Sequence, residues 1–209
     1  HVLGLTLYFL GEFPRAREHF EQGLSLYDPQ EHNPQISGFV QDPGMTCLSM
    51  SSWVLWFLGY PDQALEKSQE AIALARDLSH PFSLTYALSC SPVLFQLRRE
   101  ARLTQEQAER AIAFSTEQRI PVFLESVTQL RTWALTEQGH QEEIGRKERE
   151  RITGRIVRAK MYRSYWLALL VEALTAGQTG QGRADPREGW GATVFLQLMD
   201  PACFGGADQ

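Results

Sequence analysis

Two stretches of this chain, QEAIALARDLSHP at 69–81 and ERAIAFSTEQRIP at 109–121, align without a gap. The alignment puts Ala71, Ile72 and Ala73 on Ala111, Ile112 and Ala113, and Pro81 on Pro121, with a numbering offset of 40 throughout. Doubling that offset places WVLWFLGYPDQA (53–64) on WALTEQGHQEEI (133–144), so that Trp53 meets Trp133, Leu55 meets Leu135 and Gly59 meets Gly139. An earlier unit, LGLTLYFLGEFPRAREHFEQGLSLYDP, carries the same Leu-Gly turn at Leu10 and Gly11. Gly11 to Gly59 is an offset of 48, and the excess of eight falls in the loop 28–43. A fixed interval of this length marks an array in which each unit buries its apolar face against its neighbours, because a single unit cannot.

Each unit reads as two helices. An apolar stripe runs to a glycine that ends helix A in a left-handed conformation, and helix B begins after a tight turn. Pro14 and Pro61 suit the start of helix B, where a missing N–H costs little. In the second unit helix B has Ala64, Leu65, Ser68, Ala71, Ile72 and Ala75 at spacings of three and four, with Glu66, Lys67, Gln69, Glu70 and Arg76 between them. That face is narrow and made of small residues, so another helix can approach it closely. The fold expected is all-α, a right-handed α-α solenoid of about four and a half helix pairs over residues 1–176. Residues 177–209, with glycine, proline and no helical period, are expected to be an irregular, poorly ordered tail. In the first unit Leu3-Gly4, Leu7, Ala16 and Phe20 fall on the tetratricopeptide pattern, with Pro29 near its closing proline. Ser68, Ala108 and Glu148 replace the large residue in later units, and the interval exceeds the usual length of about 34, so the repeat is TPR-like rather than strict.

Composition excludes some functions. The 209 residues are 43% hydrophobic and 22% charged, enough for a packed core, and the net charge of −5 repels phosphates on average. Cys47, Cys90 and Cys203 are odd in number and far apart, which fits neither a disulfide framework nor a zinc or redox motif and points to a reducing cytoplasm. The apolar run SMSSWVLWFLGY is too short to cross a bilayer, and no secretory leader pattern opens the sequence. Beginning at His1 in what reads as the middle of a helix, the chain is expected to be a fragment of a larger protein.

The phrases LGLTLYFLGEFPRAREHFEQGLSLYD, QDPG, LGYPDQALEKSQEAIALARDLSHPFSLTYAL, RREA and ALTEQGHQEE, in this order, resemble the C-terminal helical-repeat region of large bacterial multidomain ATP-binding signalling proteins. The resemblance covers roughly residues 1–143 and 159–176. In that family a class III adenylate or guanylate cyclase domain, or another output domain, lies upstream of an ATPase module and then the repeats. The resemblance therefore implies a regulatory arm, and it gives these residues no cyclase or ATPase site. IGRKERERITGRIVR (144–158) departs from the family pattern where an alanine- and leucine-rich helix B belongs, and so does the tail from 177. Both have the character of reading-frame slips, the first compensated.

No catalytic constellation emerges. Residues 142–163 hold eight Lys or Arg against four Glu, a net +4 that leaves −9 elsewhere, and they read as a solvated helix face laced with i,i+4 pairs. A nucleic-acid regulator using the basic segment 146–163 is the alternative reading, disfavoured because no aromatic interleaving or reading motif accompanies the charge. GQTGQG (177–182) has no preceding strand and no following Lys-Ser/Thr, so it is not a phosphate loop. The five histidines lack paired ligand spacing, so no metal is expected, and no cofactor. His80, before Pro81, is read as helping to end helix B. The chain is thus expected to be a non-catalytic interaction and regulatory arm in the cytoplasm, whose partners are a protein, a peptide or other domains of its parent. Trp53 and Trp133 recur at twice the interval and are expected to pack in the core. Trp56 is answered by Gln96 and Thr136, both polar, and with Tyr8 these are expected to line an accessible concave surface for the partner.

Overall fold

The computed structural model describes residues 1–31 and 41–140. Within them the chain runs through α1 (Val2–Phe9), α2 (Phe13–Ser25), α3 (Pro43–Phe57), α4 (Pro61–Asp77), α5 (Pro81–Leu97), α6 (Ala101–Glu117), a 3-10 turn (Pro121–Phe123) and α7 (Leu124–Glu137). The described residues are all-helical and contain no strand. Each helix packs mainly on its neighbours in sequence, and α5 also touches α3 and α7.

The interval read in the sequence recurs in the backbone. Gly59, Arg99 and Gly139 follow one another at that interval with φ of 86°, 59° and 80°, and Gly11, one longer step before Gly59, has φ 76°. A second set, Ser79 and Arg119, has φ of 50° and 58° at the same interval. At Gly59 the amide donates to the Trp56 carbonyl at 3.0 Å and the next amide, of Tyr60, to Leu55 at 2.9 Å. This pair of reverse bonds satisfies carbonyls that a helix end would leave orphaned. The same two bonds occur at Gly11, Arg99 and Gly139.

The helices divide by burial. In α3 every residue from Gly44 to Leu55 is buried, so this helix is enclosed all round. The faces that α4 and α6 bury are narrower: Ala64, Ser68, Ala71 and Ala75 in one, Thr104, Ala108, Ala111 and Ser115 in the other. Trp53 and Trp133 are core residues, as expected, with 8% and 1% of their surface exposed. The Trp53 indole N–H donates to the Cys90 carbonyl at 3.2 Å, tying α3 to α5. Gly44 is demanded by close approach, since a Cβ there would lie 2.6 Å from the Tyr27 ring.

Helix starts follow capping chemistry. Prolines open α3 and α5 as helix-initiating residues, and Pro14 and Pro61 occupy the starts of α2 and α4 as expected. Asp42 caps α3 by accepting from Met45 N at 2.6 Å. His80 corrects the sequence reading: α4 is ended by Ser79, and His80 is the N-cap of α5, its Nδ1 accepting from Ser83 N at 3.3 Å. No helix among the described residues is long and apolar enough to cross a membrane. The remainder of the solenoid expected to residue 176, the departures at 144–158, the basic segment 146–163 and the tail 177–209 lie outside the described residues.

Candidate functional site

The structure brings Tyr8, Trp56, Gln96 and Thr136 to one backbone station. Each is the residue whose carbonyl accepts the amide of the left-handed residue that ends α1, α3, α5 or α7, at 2.9–3.0 Å. Their side chains do not form the accessible surface expected of them. Tyr8 is 1% exposed, Gln96 4% and Thr136 5%, and only Trp56 is half-buried, packed on the cluster of Leu55, Ala64 and Leu94.

The physical reasons differ. Tyr8 sits in an aromatic cluster, its ring centroid 5.9 Å from Phe13, 6.1 Å from Trp53 and 6.5 Å from Phe57. Such rings bury large apolar area and hold one another at preferred angles. Thr136 is polar but needs no water, because its hydroxyl donates to the Thr132 carbonyl at 2.9 Å. Polarity at a repeat position therefore does not imply exposure; a hydrogen bond inside the stack serves as well.

One polar cluster has the composition of a reactive site and a different purpose. Ser83 Oγ lies 2.8 Å from His80 Nδ1 and accepts the Asp42 amide at 2.9 Å, while Asp42 Oδ2 accepts from the Tyr27 hydroxyl at 2.8 Å. The serine–histidine contact resembles a nucleophile and its base. Yet the His80 nitrogen facing Ser83 already caps α5, the Asp42 carboxylate caps α3, and Asp42 and Ser83 are both fully buried. The cluster locks two helix starts together. Burial, reinforced by the bond to Asp42, holds the Tyr27 hydroxyl proton well above its ordinary range. Burial also pushes the Cys90 thiol up to about 12 and raises that of Cys47, so these two buried cysteines are poor nucleophiles. Among the described residues no group of three or more His, Cys, Asp or Glu could hold a metal ion.

A feature absent from the sequence reading is a groove of about 200 Å³ between α4 and α6, closed at its base by α5. Leu65 and Ile72 of α4 and Phe95 of α5 form its apolar part, Ser68 adds a hydroxyl, and Arg76 and Arg110 stand at its edges. Its signal in the sequence is the contrast between sister helices. Ala71 and Ile72 are repeated as Ala111 and Ile112, whereas Lys67, Glu70 and Arg76 become Gln107, Arg110 and Thr116. No protein-family model matches this chain, and no curated protein does.

Proposed function

We propose that this chain is a TPR-like helical-repeat arm that holds a protein or peptide partner, or another domain of its parent, and carries no reaction of its own. The observation that carries the reading is the split between positions on α4 and α6. Residues that the helices bury against one another stay small from one unit to the next and the groove's apolar Ile72 recurs as Ile112, while its polar edge changes charge, with Thr116 in the place of Arg76 and Arg110 in the place of Glu70. Stacking constrains the first set and leaves the second available for recognition.

The phrase-level resemblance to the repeat region of bacterial multidomain ATP-binding signalling proteins supports a regulatory role, in the cytoplasm, passing a binding event to an ATPase or cyclase module. The test is to read the genomic DNA upstream, express any nucleotide-binding module encoded there, and compare its turnover with the arm intact and with residues 1–140 deleted. A change in turnover is expected, and equal rates overturn the regulatory role. Passage through a heparin column at about 0.15 M salt is expected as well; retention there would favour the nucleic-acid alternative.

A further inference from the structure

We propose that the groove between α4 and α6 docks a short peptide segment of a partner protein that presents carboxylates beside apolar side chains, a proposal that rests on the interaction reading above. Leu65, Ile72 and Phe95 are half-buried in the groove, and Arg76 and Arg110 are exposed at its edges. Among the described residues neither arginine forms an ion pair, whereas Arg15, Arg17, Arg98, Arg102 and Arg131 each hold a glutamate. Arg110 bonds only the neutral Gln107 amide oxygen, at 3.0 Å.

Local sequence explains why they are unmatched. The residues three and four away from Arg76 are Ile72, Ala73, Ser79 and His80, none acidic. Arg110 has one acidic neighbour at that spacing, Glu106, and Glu106 is taken by Arg102. Two planar guanidinium groups beside an apolar floor match a carboxylate carried next to an aliphatic or aromatic side chain.

One unit earlier, Glu70 stands in the place of Arg110, so that position is acidic on α4. Size selects among ligands: about 200 Å³ is below the ~300–1,000 Å³ of small-molecule sites, and it suits side chains of a peptide lying across the groove.

The test uses the whole chain and a blocked, fluorescein-labelled Glu-Leu-Glu-Phe-Glu peptide, read by anisotropy at low salt. Saturable binding is expected, weakened tenfold or more in Arg76→Gln/Arg110→Gln, in the all-glutamine peptide, and in about 1 M salt. The charge-reversed Arg76→Glu/Arg110→Glu should instead prefer Lys-Leu-Lys-Phe-Lys. Both arginines are exposed, so all variants should keep the wild-type circular dichroism and melting temperature. No saturable binding, or equal affinity in the double glutamine variant, overturns the proposal. Binding that survives Arg76→Gln/Arg110→Gln and is lost in Trp56→Ala overturns the groove and leaves the interaction reading standing. Tighter binding of single-stranded DNA than of the peptide overturns both.

Discussion

From Pro81 to Leu97 the chain is one unbroken helix; from Pro121 to Glu137, the matching span of the next unit, it is a 3-10 turn followed by a shorter helix. The two segments end alike, with Arg99 and Gly139 in the left-handed region at equivalent places. They begin differently, and their caps differ as well. His80 offers a ring nitrogen to Ser83 N, and Ser83 in turn receives the Asp42 amide from the start of α3. Ile120 offers no side-chain acceptor and the chain beyond it winds with i→i+3 bonding, although α2, α4 and α6 also start without a side-chain cap and are α-helical from their first residue. Phe123, in the place of Ser83, gives the turn apolar anchorage instead, packing edge-on to Phe82 and Tyr86 at 5.7 and 5.5 Å. Both the missing His80–Ser83 cap and the Phe123 contacts distinguish the second start from the first.

If α7 is held by packing rather than by its start, its tryptophan should matter most. Trp133 is 1% exposed within the main core cluster, and Trp133→Ala is expected to cost about 3–5 kcal/mol in urea denaturation. Trp56→Ala, at a half-buried ring, should cost clearly less. Equal losses at the two sites would break the distinction between core and surface tryptophans on these helices.

The capped starts come next. Asp42→Ala removes the acceptor of both Met45 N and the Tyr27 hydroxyl inside a fully buried site, and about 2–3 kcal/mol should be lost. His80→Ala, at a partly exposed cap, should cost about 1 kcal/mol. The Tyr27 bond also has a pH signature. Its folded-state pKa is raised above the ordinary 10.0, so the unfolded chain loses the proton first as pH rises. This contribution is complete below about pH 10 and disappears above it. Tyr27→Phe should therefore be less stable at neutral pH and show a shallower fall in urea midpoint above pH 10 than the parent.

A smaller effect tests the uncapped start directly. Ile120→Asp places an acceptor where α3 has Asp42, and slower amide exchange at Phe123 and Leu124 is expected as the turn becomes α-helical. The cap gain of about 1 kcal/mol is offset by the loss of a half-buried isoleucine, so the melting temperature should hardly move. Unchanged exchange would show that Phe123 packing, and not the missing cap, sets the 3-10 geometry.

Helix pairs and their glycine ends are legible in the sequence because Gly11, Gly59 and Gly139 are the residues that tolerate positive φ, and because small residues repeat on α4 and α6. Arg99 hides the third such end. An arginine does not announce a left-handed conformation, although its place one interval after Gly59 does mark it. His80 is ambiguous for a related reason: between a helix end and a proline, the same residue can close one helix or cap the next. The candidate surface fails at Tyr8, Gln96 and Thr136, which are all buried; ring packing holds Tyr8 inside the stack and an internal hydrogen bond serves Thr136. The groove is illegible because Arg76 and Arg110 are far apart in sequence, and only the folded helices bring them to the edges of one apolar floor.

The smallest expected effect separates the two arginine ends. Arg99 and Arg119 hold φ of 59° and 58°, a region that costs a non-glycine residue about 1–2 kcal/mol. Glycine removes that strain and returns about 0.5–1 kcal/mol of it as backbone entropy, so Arg119→Gly should stabilise the fold by about 0.5–1 kcal/mol. Arg99 has a further contact to lose, since its guanidinium lies 5.7 Å from the centre of the Trp133 ring. A cation over an aromatic face contributes about 0.5–1 kcal/mol near the surface, which cancels the relief of strain. Arg99→Gly is therefore expected to leave the urea midpoint unchanged while Arg119→Gly raises it. In a Trp133→Phe background, where the weaker ring holds the cation less well, Arg99→Gly should regain part of the stabilisation seen at Arg119. Identical shifts for the two glycine variants in the parent chain would remove the Arg99–Trp133 contact from the forces joining α5 to α7.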